Sequence, residues 1–225
     1  MCHSFKQQKV FSDAYEPTSI SCSVLEDLVF VATSLSEVFV YSLLEDGFPL
    51  VHRFPSVSVA KEIIFSNVGN YILTREATRK DKPSYCTARV YVNWSKWCQS
   101  EGSKMKIHQV GYSVTRPATS TSPELEGETM TVVEILSRFA VCALSCCPTS
   151  GNVAVATETA VSLYKVCRDG PFDLQKLYVV EPGFCIQKLA ICEQFVAFTS
   201  ASEVRVLRIA LDGQSVVEQS LTKDG

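Results

Sequence analysis

The sequence predicts an all-β fold of β-propeller type, and two observations predict it. A short meander is written three times, and its copies recur at a fixed period. Val29-Phe-Val-Ala-Thr33 leads to Val38 and Asp46-Gly47, Val153-Ala-Val-Ala-Thr157 to Val161 and Asp169-Gly170, and Phe195-Val-Ala-Phe-Thr199 to Val204 and Asp212-Gly213. The distance from valine to aspartate is constant, since 46 − 38, 169 − 161 and 212 − 204 all equal 8. Each copy reads as an apolar strand, a polar turn, a second strand and an Asp-Gly hairpin. Asp-Gly suits a type I′ turn because Gly adopts positive φ without a Cβ clash and Asp tolerates it.

The period fixes the kind of repeat. Tyr71 of Gly69-Asn-Tyr-Ile-Leu-Thr74 lies 71 − 29 = 42 residues after Val29, Phe195 lies 195 − 153 = 42 after Val153, and the gap between, 153 − 71 = 82, is nearly two periods. Four-stranded blades recur at about 40–45 residues. Leucine-rich horseshoes are shorter, and no 3.6-residue apolar rhythm marks helical repeats. Ile63-Ile-Phe-Ser-Asn-Val-Gly69 and Leu144-Ser-Cys-Cys-Pro-Thr-Ser-Gly151 resemble the strand-then-turn F-S-P-x-G segment that opens WD repeats. The chain lacks the Gly-His pair and the Trp-Asp dipeptide of that family, so the repeat is a divergent, WD-like one.

Taken in order, residues 1–20 are expected to supply a lead-in strand with a loop around Glu16-Pro17. A first meander follows, with strands at 28–33, 37–44 and 49–54. The second blade takes 57–66 and 70–76, then a polar loop at Arg79-Lys-Asp-Lys-Pro83, then Thr87-Ala-Arg-Val-Tyr-Val-Asn-Trp94. Lys104-Met-Lys-Ile-His-Gln-Val110 alternates like an exposed strand. Residues 113–128, with Arg116-Pro-Ala-Thr-Ser-Thr-Ser-Pro123 and an acidic stretch from Glu124 to Glu128, are too polar to offset their ordering entropy and read as a flexible insertion. Met130–Leu136 resumes as strand, and two regular blades occupy 138–180 and 184–222. Residues 1–225 thus read as one partial β-propeller domain of about four antiparallel blades, the opening arc of a larger ring. Such an arc, with uncovered sheet edges and faces, is expected to be marginally stable or to aggregate when isolated.

Composition narrows the function. The chain has 225 residues, 46% hydrophobic and 20% charged, enough to bury a core. Its net charge is −3 and its Lys and Arg are scattered, which argues against a nucleic-acid partner. No apolar run approaches the roughly 20 residues a membrane helix needs, and Met1–Lys9 lacks an apolar secretory core. A cytoplasmic product is expected. Ten cysteines carry no C-x-x-C pair, and His3, His52 and His108 are isolated. Reduced, strand-packed thiols are therefore expected, with no metal or cofactor.

No catalytic constellation is legible: there is no G-x-S-x-G elbow, and Gly102-Ser-Lys104 is too bare for a phosphate loop. Glu124, Glu126 and Glu128 read as a solvated loop. A propeller-channel enzyme would need acidic or histidine side chains on its inner strands, which here carry mostly Ile, Leu, Ala and Cys. Asn93-Trp94-Ser95 matches a glycosylation triplet that only a secreted chain would use; Asn93 is expected to end a strand and Trp94 to pack between blades. Trp97, nearer a loop, is expected to be buried. Ser122-Pro123 is a candidate phosphorylation site in the insertion, although most such pairs are plain linker. Leu43-Leu-Glu-Asp46 lacks the second apolar residue of a clathrin box.

Arg89-Val-Tyr-Val-Asn-Trp94, Ile107–Tyr112, Met130–Leu136 and Leu144-Ser-Cys-Cys-Pro148-x-x-Gly151 together resemble the N-terminal region of the Hermansky–Pudlak syndrome protein three family, from near Met1 to about Leu211. The resemblance implies a non-enzymatic subunit of the second biogenesis-of-lysosome-related-organelles complex, partnered by that complex's other subunits. It implies sorting of endosomal cargo to melanosomes and related compartments, with peripheral endosome association through partners only. It also implies a longer parent with a helical region that joins the complex. The alternative on the residues alone is a WD-like adaptor of another cytosolic complex, a coat or a tether. In either case the 113–128 insertion and the Asp-Gly hairpins are the expected contact elements.

Overall fold

The computed structural model describes residues 14–23, 25–44, 47–78, 85–98, 105–110, 129–167, 172–209 and 216–221. Four sheets follow one another along the chain. The first holds β1 (Pro17–Ser23), β2 (Leu28–Thr33), β3 (Glu37–Ser42) and β4 (Leu50–Pro55), in that spatial order. The second holds β5 (Ala60–Ser66), β6 (Tyr71–Ala77), β7 (Cys86–Val92), β8 (Lys106–Val110) and β9 (Thr131–Ile135), ordered β5-β6-β7-β9-β8. The third is β10 (Val141–Cys146), β11 (Val153–Thr157), β12 (Val161–Cys167) and β13 (Asp173–Val180), and the fourth is β14 (Lys188–Cys192), β15 (Phe195–Thr199), β16 (Val204–Ile209) and β17 (Val216–Leu221), both in sequence order. A 3₁₀ turn, Trp94–Lys96, follows β7. The fold class is as the sequence predicts.

The repeat falls on the same strands each time. Val29–Thr33, Tyr71–Thr74, Val153–Thr157 and Phe195–Thr199 all lie in second strands. The recurring threonine closes the turn that follows: Thr33 Oγ1 donates to the Glu37 carbonyl at 3.2 Å, and Thr157 Oγ1 accepts from the Ala160 amide at 3.2 Å. The glycine of the strand-then-turn segment also has a cause. A Cβ on Gly69 would meet the Tyr71 ring at 2.2 Å.

Several expectations need correction. Where a loop was expected around Glu16-Pro17, β1 begins at Pro17, a first position that suits a proline lacking an amide to donate. Residues 43–49 separate β3 from β4, with Gly47 at φ 87° and Phe48 at φ 48°. Asp46, Asp169-Gly170 and Asp212-Gly213 lie outside the described residues, as does the 113–128 insertion. The second sheet is not wholly antiparallel. β8 pairs parallel with β9, and 131 − 110 − 1 = 20 residues intervene, the long return a parallel pair demands. The cysteines are not uniformly packed: Cys86 and Cys147 are buried, Cys142, Cys146 and Cys167 half-buried, and Cys22, Cys98, Cys185 and Cys192 exposed. No disulfide joins the nine cysteines among the described residues.

Side chains alternate across each strand, so every sheet offers two faces. Phe30, Val38, Val40 and Phe54 of the first sheet pack on Ile63, Phe65, Ile72 and Tyr91 of the second. Trp94 completes that core, edge-on to Phe30 at 5.1 Å, as expected; Trp97 packs against it half-buried. The second sheet's other face, Tyr71, Leu73, Val90 and Val133, packs on Val153, Val155 and Tyr164 of the third. The third then meets the fourth through Ala154, Ala156, Leu163, Ile191, Val196 and Phe198.

The first strands of neighbouring sheets lie side by side, β1 against β5 and β10 against β14. Each is the edge of its own sheet, so half its amides face away from their ladder. Side chains of the preceding sheet meet them. The Ile63 and Phe65 amides donate to Ser19 Oγ at 3.1 Å and Ser21 Oγ at 2.9 Å. The Ile191 and Glu193 amides donate to Ser145 Oγ and Cys147 Sγ, both at 3.1 Å. Ser21→Ala should strand the Phe65 amide and lower unfolding free energy by about 1–3 kcal/mol. Urea titration of the variant against wild type measures this, and no loss would show that the amide finds water instead.

Candidate interaction site

The densest group of buried polar side chains lies between the first and second sheets. Glu76 on β6 and Arg89 and Tyr91 on β7 share the face that carries Ile72, because Ile72 pairs with Tyr91 and Thr74 with Arg89. Glu76 is 0% exposed and Arg89 5%. Arg89 Nη1 donates to Glu76 Oε2 at 2.8 Å, and Arg89 Nη2 stands 3.6 Å from Glu134 Oε1 on β9. Glu76 accepts further bonds from Tyr91 Oη at 2.6 Å, Thr74 Oγ1 at 2.7 Å and the Ser58 amide at 2.8 Å. Burial first, and then the Glu76 charge, hold the Tyr91 phenol well above its ordinary pKa, so it remains a donor. Tyr91 Oη also accepts from the Val57 amide at 2.8 Å.

Chemically this cluster is a clamp. Its carboxylate has five donors, the Ser58 hydroxyl at 3.2 Å being the fifth, and its guanidinium lies between two acids. What it grips is 56–59, the chain crossing from the first sheet to the second. The clamp was not foreseen in the sequence. Its signal was Glu76 at the end of an apolar strand and Arg89 between Ala88 and Val90, charges in phase with an inward face.

A second polar centre surrounds Cys147. Burial raises its thiol pKa, but donors from Ser150, Thr149 and Glu193 outweigh burial and bring it down to about 7. The Glu193 amide is 3.1 Å from the sulfur and the Ser150 amide 3.4 Å.

Surfaces open to a partner lie at the rims. A cleft of about 160 Å³ opens between the second and third sheets, lined by Arg138, Phe139, Thr159, Lys176, Val179 and Glu181. Phe139 and Val179 are 47% and 48% exposed there. Tyr85 Oη holds the adjoining crossover, donating to the Arg138 carbonyl at 3.3 Å. His52 Nε2 is spent on the Trp94 carbonyl at 3.0 Å. Among the described residues, no three His, Cys, Asp or Glu side chains stand close enough to hold a metal ion, and no helix is long and apolar enough to cross a membrane. Ser122, the residue singled out for phosphorylation, lies outside the described residues.

The family model described as Hermansky-Pudlak syndrome 3 protein, N-terminal, matches residues 1–224. A human protein named BLOC-2 complex member HPS3 is 24% identical over 216 residues, which are 92% of this chain. The chain spans about a fifth of that relative, 20% of its length. Among solved structures, the RRP9 WD40 repeats and U3-55K each match 96% of this chain at 11% identity and TM-score 0.56, with 55% and 56% of those chains covered. The Myceliophteria thermophila Cps50 (Swd1) β-propeller domain matches 92% of this chain at 8% identity and TM-score 0.55, with 59% of that chain covered. At such identities these three support the fold and nothing further.

Two outcomes follow from the clamp and the thiol. Glu76→Ala should cost about 3–5 kcal/mol by leaving a buried guanidinium half-paired, while the double variant E76L/R89M should recover most of it. Chemical denaturation of both variants tests this, and equal losses would contradict the clamp. For Cys147, a folded pKa near 7 below the usual thiol value of 9 means the fold favours the thiolate. Stability should therefore rise from pH 7 to pH 9 and lose that increment as pH falls through 7, with Cys147→Ser flat over the same window in thermal melts.

Proposed function

The chain belongs to the Hermansky-Pudlak syndrome 3 protein N-terminal family, and on that footing we propose that it is a non-enzymatic interaction domain of a complex for lysosome-related organelle biogenesis. In this reading the sheets serve as a scaffold and the work is done at the rims. Its partners are the other members of the BLOC-2 complex, its place is the cytoplasm, and its contact with endosomes is peripheral and made through those partners. The observation that carries the reading is a family match running along essentially the whole chain.

The geometry supports it. The buried charges are consumed inside the sheet stack, by Glu76, Arg89 and Glu134, rather than gathered in a cleft around a reacting group. The cleft between the second and third sheets carries exposed Phe139 and Val179 beside Arg138, Lys176 and Glu181, the mixed apolar and charged lining of a protein contact. Aromatic anchors with charged surroundings carry much of interface energy. The 113–128 insertion is a second contact element in this proposal, and phosphorylation of Ser122 beside Glu124 and Glu126 would extend it by like-charge repulsion.

The test grafts this chain in place of the matching 216 residues of the human relative and expresses the graft in cells lacking that protein. The other BLOC-2 members should co-purify with the graft, and pigmented lysosome-related organelles should return. F139D should weaken co-purification without lowering the melting temperature. Co-purification of coat or tether proteins in place of BLOC-2 members, with no organelle rescue, would replace this reading by an adaptor of another complex.

A further inference from the structure

The end of the first sheet opposite the 56–59 crossover gathers uncovered aliphatic side chains. β1 and β3 both finish there, so the turn from β1 to β2 and the loop from β3 to β4 are neighbours. Leu28 pairs with Ser42, and the Leu43 amide donates to the Asp27 carbonyl at 2.7 Å. The second sheet brings its β5–β6 turn alongside. Ser19, Ser21 and Ser23 bond to Ile63, Phe65 and Asn67 at a constant offset of 44 residues, so β1 and β5 run in one direction. The last of these bonds, Ser23 Oγ to Asn67 Oδ1 at 2.6 Å, ties the two turns together.

Leu25 and Leu44 are each 76% exposed, the highest values among the large apolar side chains described, and Leu43, Leu50, Val51 and Val68 are exposed at the same corner. Of the fifteen exposed large apolar side chains in the described residues, these six fall together. Single exposed leucines are ordinary, but a contiguous group marks a contact surface. The β3–β4 loop does turn one apolar side chain inward, since Phe48 is half-buried while Leu44 is left out. Glu26 and Asp27 border the leucines, and residues 25–28, 42–44, 47–51 and 66–70 contain no Lys or Arg. Among the described residues neither carboxylate is in an ion pair. Lys96 and Lys106 lie at the same end of the second sheet, but after β7 and on β8, away from the turn that carries Val68.

We propose that this corner docks an amphipathic helix of a partner protein, with leucine-type side chains on one face and Lys or Arg along its margins. The apolar patch sets the face, and Glu26 and Asp27 set the charge of the margins. The backbone sets the helix. Turn tips offer no row of free amides, so an extended segment laid across them would leave its own peptide groups unpaired against apolar side chains. A helix pairs those groups internally and presents side chains alone. The same carboxylates repel an anionic lipid surface. The corner lies at the end of the sheets opposite the crossover that carries Phe139, and the proposal does not rest on the trafficking role.

The test titrates the chain into a fluorescein-labelled peptide of about 18 residues, or about five helical turns, built of leucine and lysine with the leucines on one helical face. Anisotropy should show saturable binding that weakens as salt rises. Leu25→Asp with Leu44→Asp should weaken binding at least about tenfold, because the apolar anchors meet a charge. Leu35→Asp, at an exposed position in the β2–β3 turn at the other end of the sheet, should leave it unchanged. A leucine–glutamate peptide of the same pattern should bind the unaltered chain at least about tenfold more weakly, and Glu26→Lys with Asp27→Asn should narrow that gap. Unchanged binding by the L25D/L44D variant, or an equal loss with L35D, would overturn the proposal. So would sedimentation of the chain with phosphatidylcholine vesicles through Leu25 and Leu44 with no peptide bound. If L25D/L44D lowers the melting temperature, the two peptides on the unaltered chain decide, and equal affinities overturn the proposal. Co-purification with BLOC-2 members is read separately, so either result can fail without the other.

Discussion

The amide row on each first strand is the constraint around which the sheets are arranged. A first strand has a partner on one side only, and an edge left open is a template for unwanted pairing. Stacking sheets face to face does nothing for these amides, because their N–H vectors lie in the plane of the strand. The chain meets the demand with short side chains spaced two apart: Ser19 and Ser21 on β1, Ser145 and Cys147 on or beside β10. Serine suits the position because its hydroxyl sits one bond from Cβ and accepts without thickening the seam. Longer acceptors would force the strands apart and open the apolar faces behind them.

That seam is made twice, and the difference between the two kinds of junction follows from it. Between the first and second sheets and between the third and fourth, the hydroxyl and thiol acceptors fix the first strands, and the faces pack as Phe30 on Phe65 with ring centroids at 4.6 Å or as Ala154 near Val196. Between the second and third sheets the Ser66 side chain on β5 bonds the Cys146 thiol on β10, and tyrosines add to the registration. Tyr71 reaches the Gly151 carbonyl, and Tyr85 reaches the carbonyls of Ser137 and Arg138. A tyrosine brings its own apolar area with its hydrogen bond, so one residue there does what a row of serines does elsewhere.

How much of this could be read in advance depends on the range of each interaction. The strand at 28–33 and the four-sheet count were legible because alternation and turn chemistry are local. Thr33 and Thr157 recur for a local reason as well, since each bonds within four residues of itself. Trp94 was placeable because a large aromatic after an apolar strand has few places to go. The parallel strand β8 was legible as a strand but not in its direction, which is decided by where the following segment returns. The Glu76 clamp was the least legible, because Arg89 is thirteen residues away and Ser58 eighteen, and only the folded register brings them together. The cysteines misled because composition does not say which face of a strand a thiol occupies: Cys147 points into the seam and Cys192 out of the fourth sheet.

The clamp also shows why a scaffold would keep buried charge at all. Replacing such a pair by apolar residues often leaves stability unchanged or raises it, so stability alone is a poor reason for Glu76 and Arg89. Their value is directional. An apolar plug would hold 56–59 near the second sheet but would not choose among its backbone amides. Glu76 takes the Ser58 amide, and Tyr91, itself bonded to Glu76, takes that of Val57. The crossover is thereby held at two successive peptides, and with it the angle at which the first sheet meets the second. Under the proposed role, in which contacts are made by loops at the rims of the stacked sheets, that angle sets the spacing between one loop and the next.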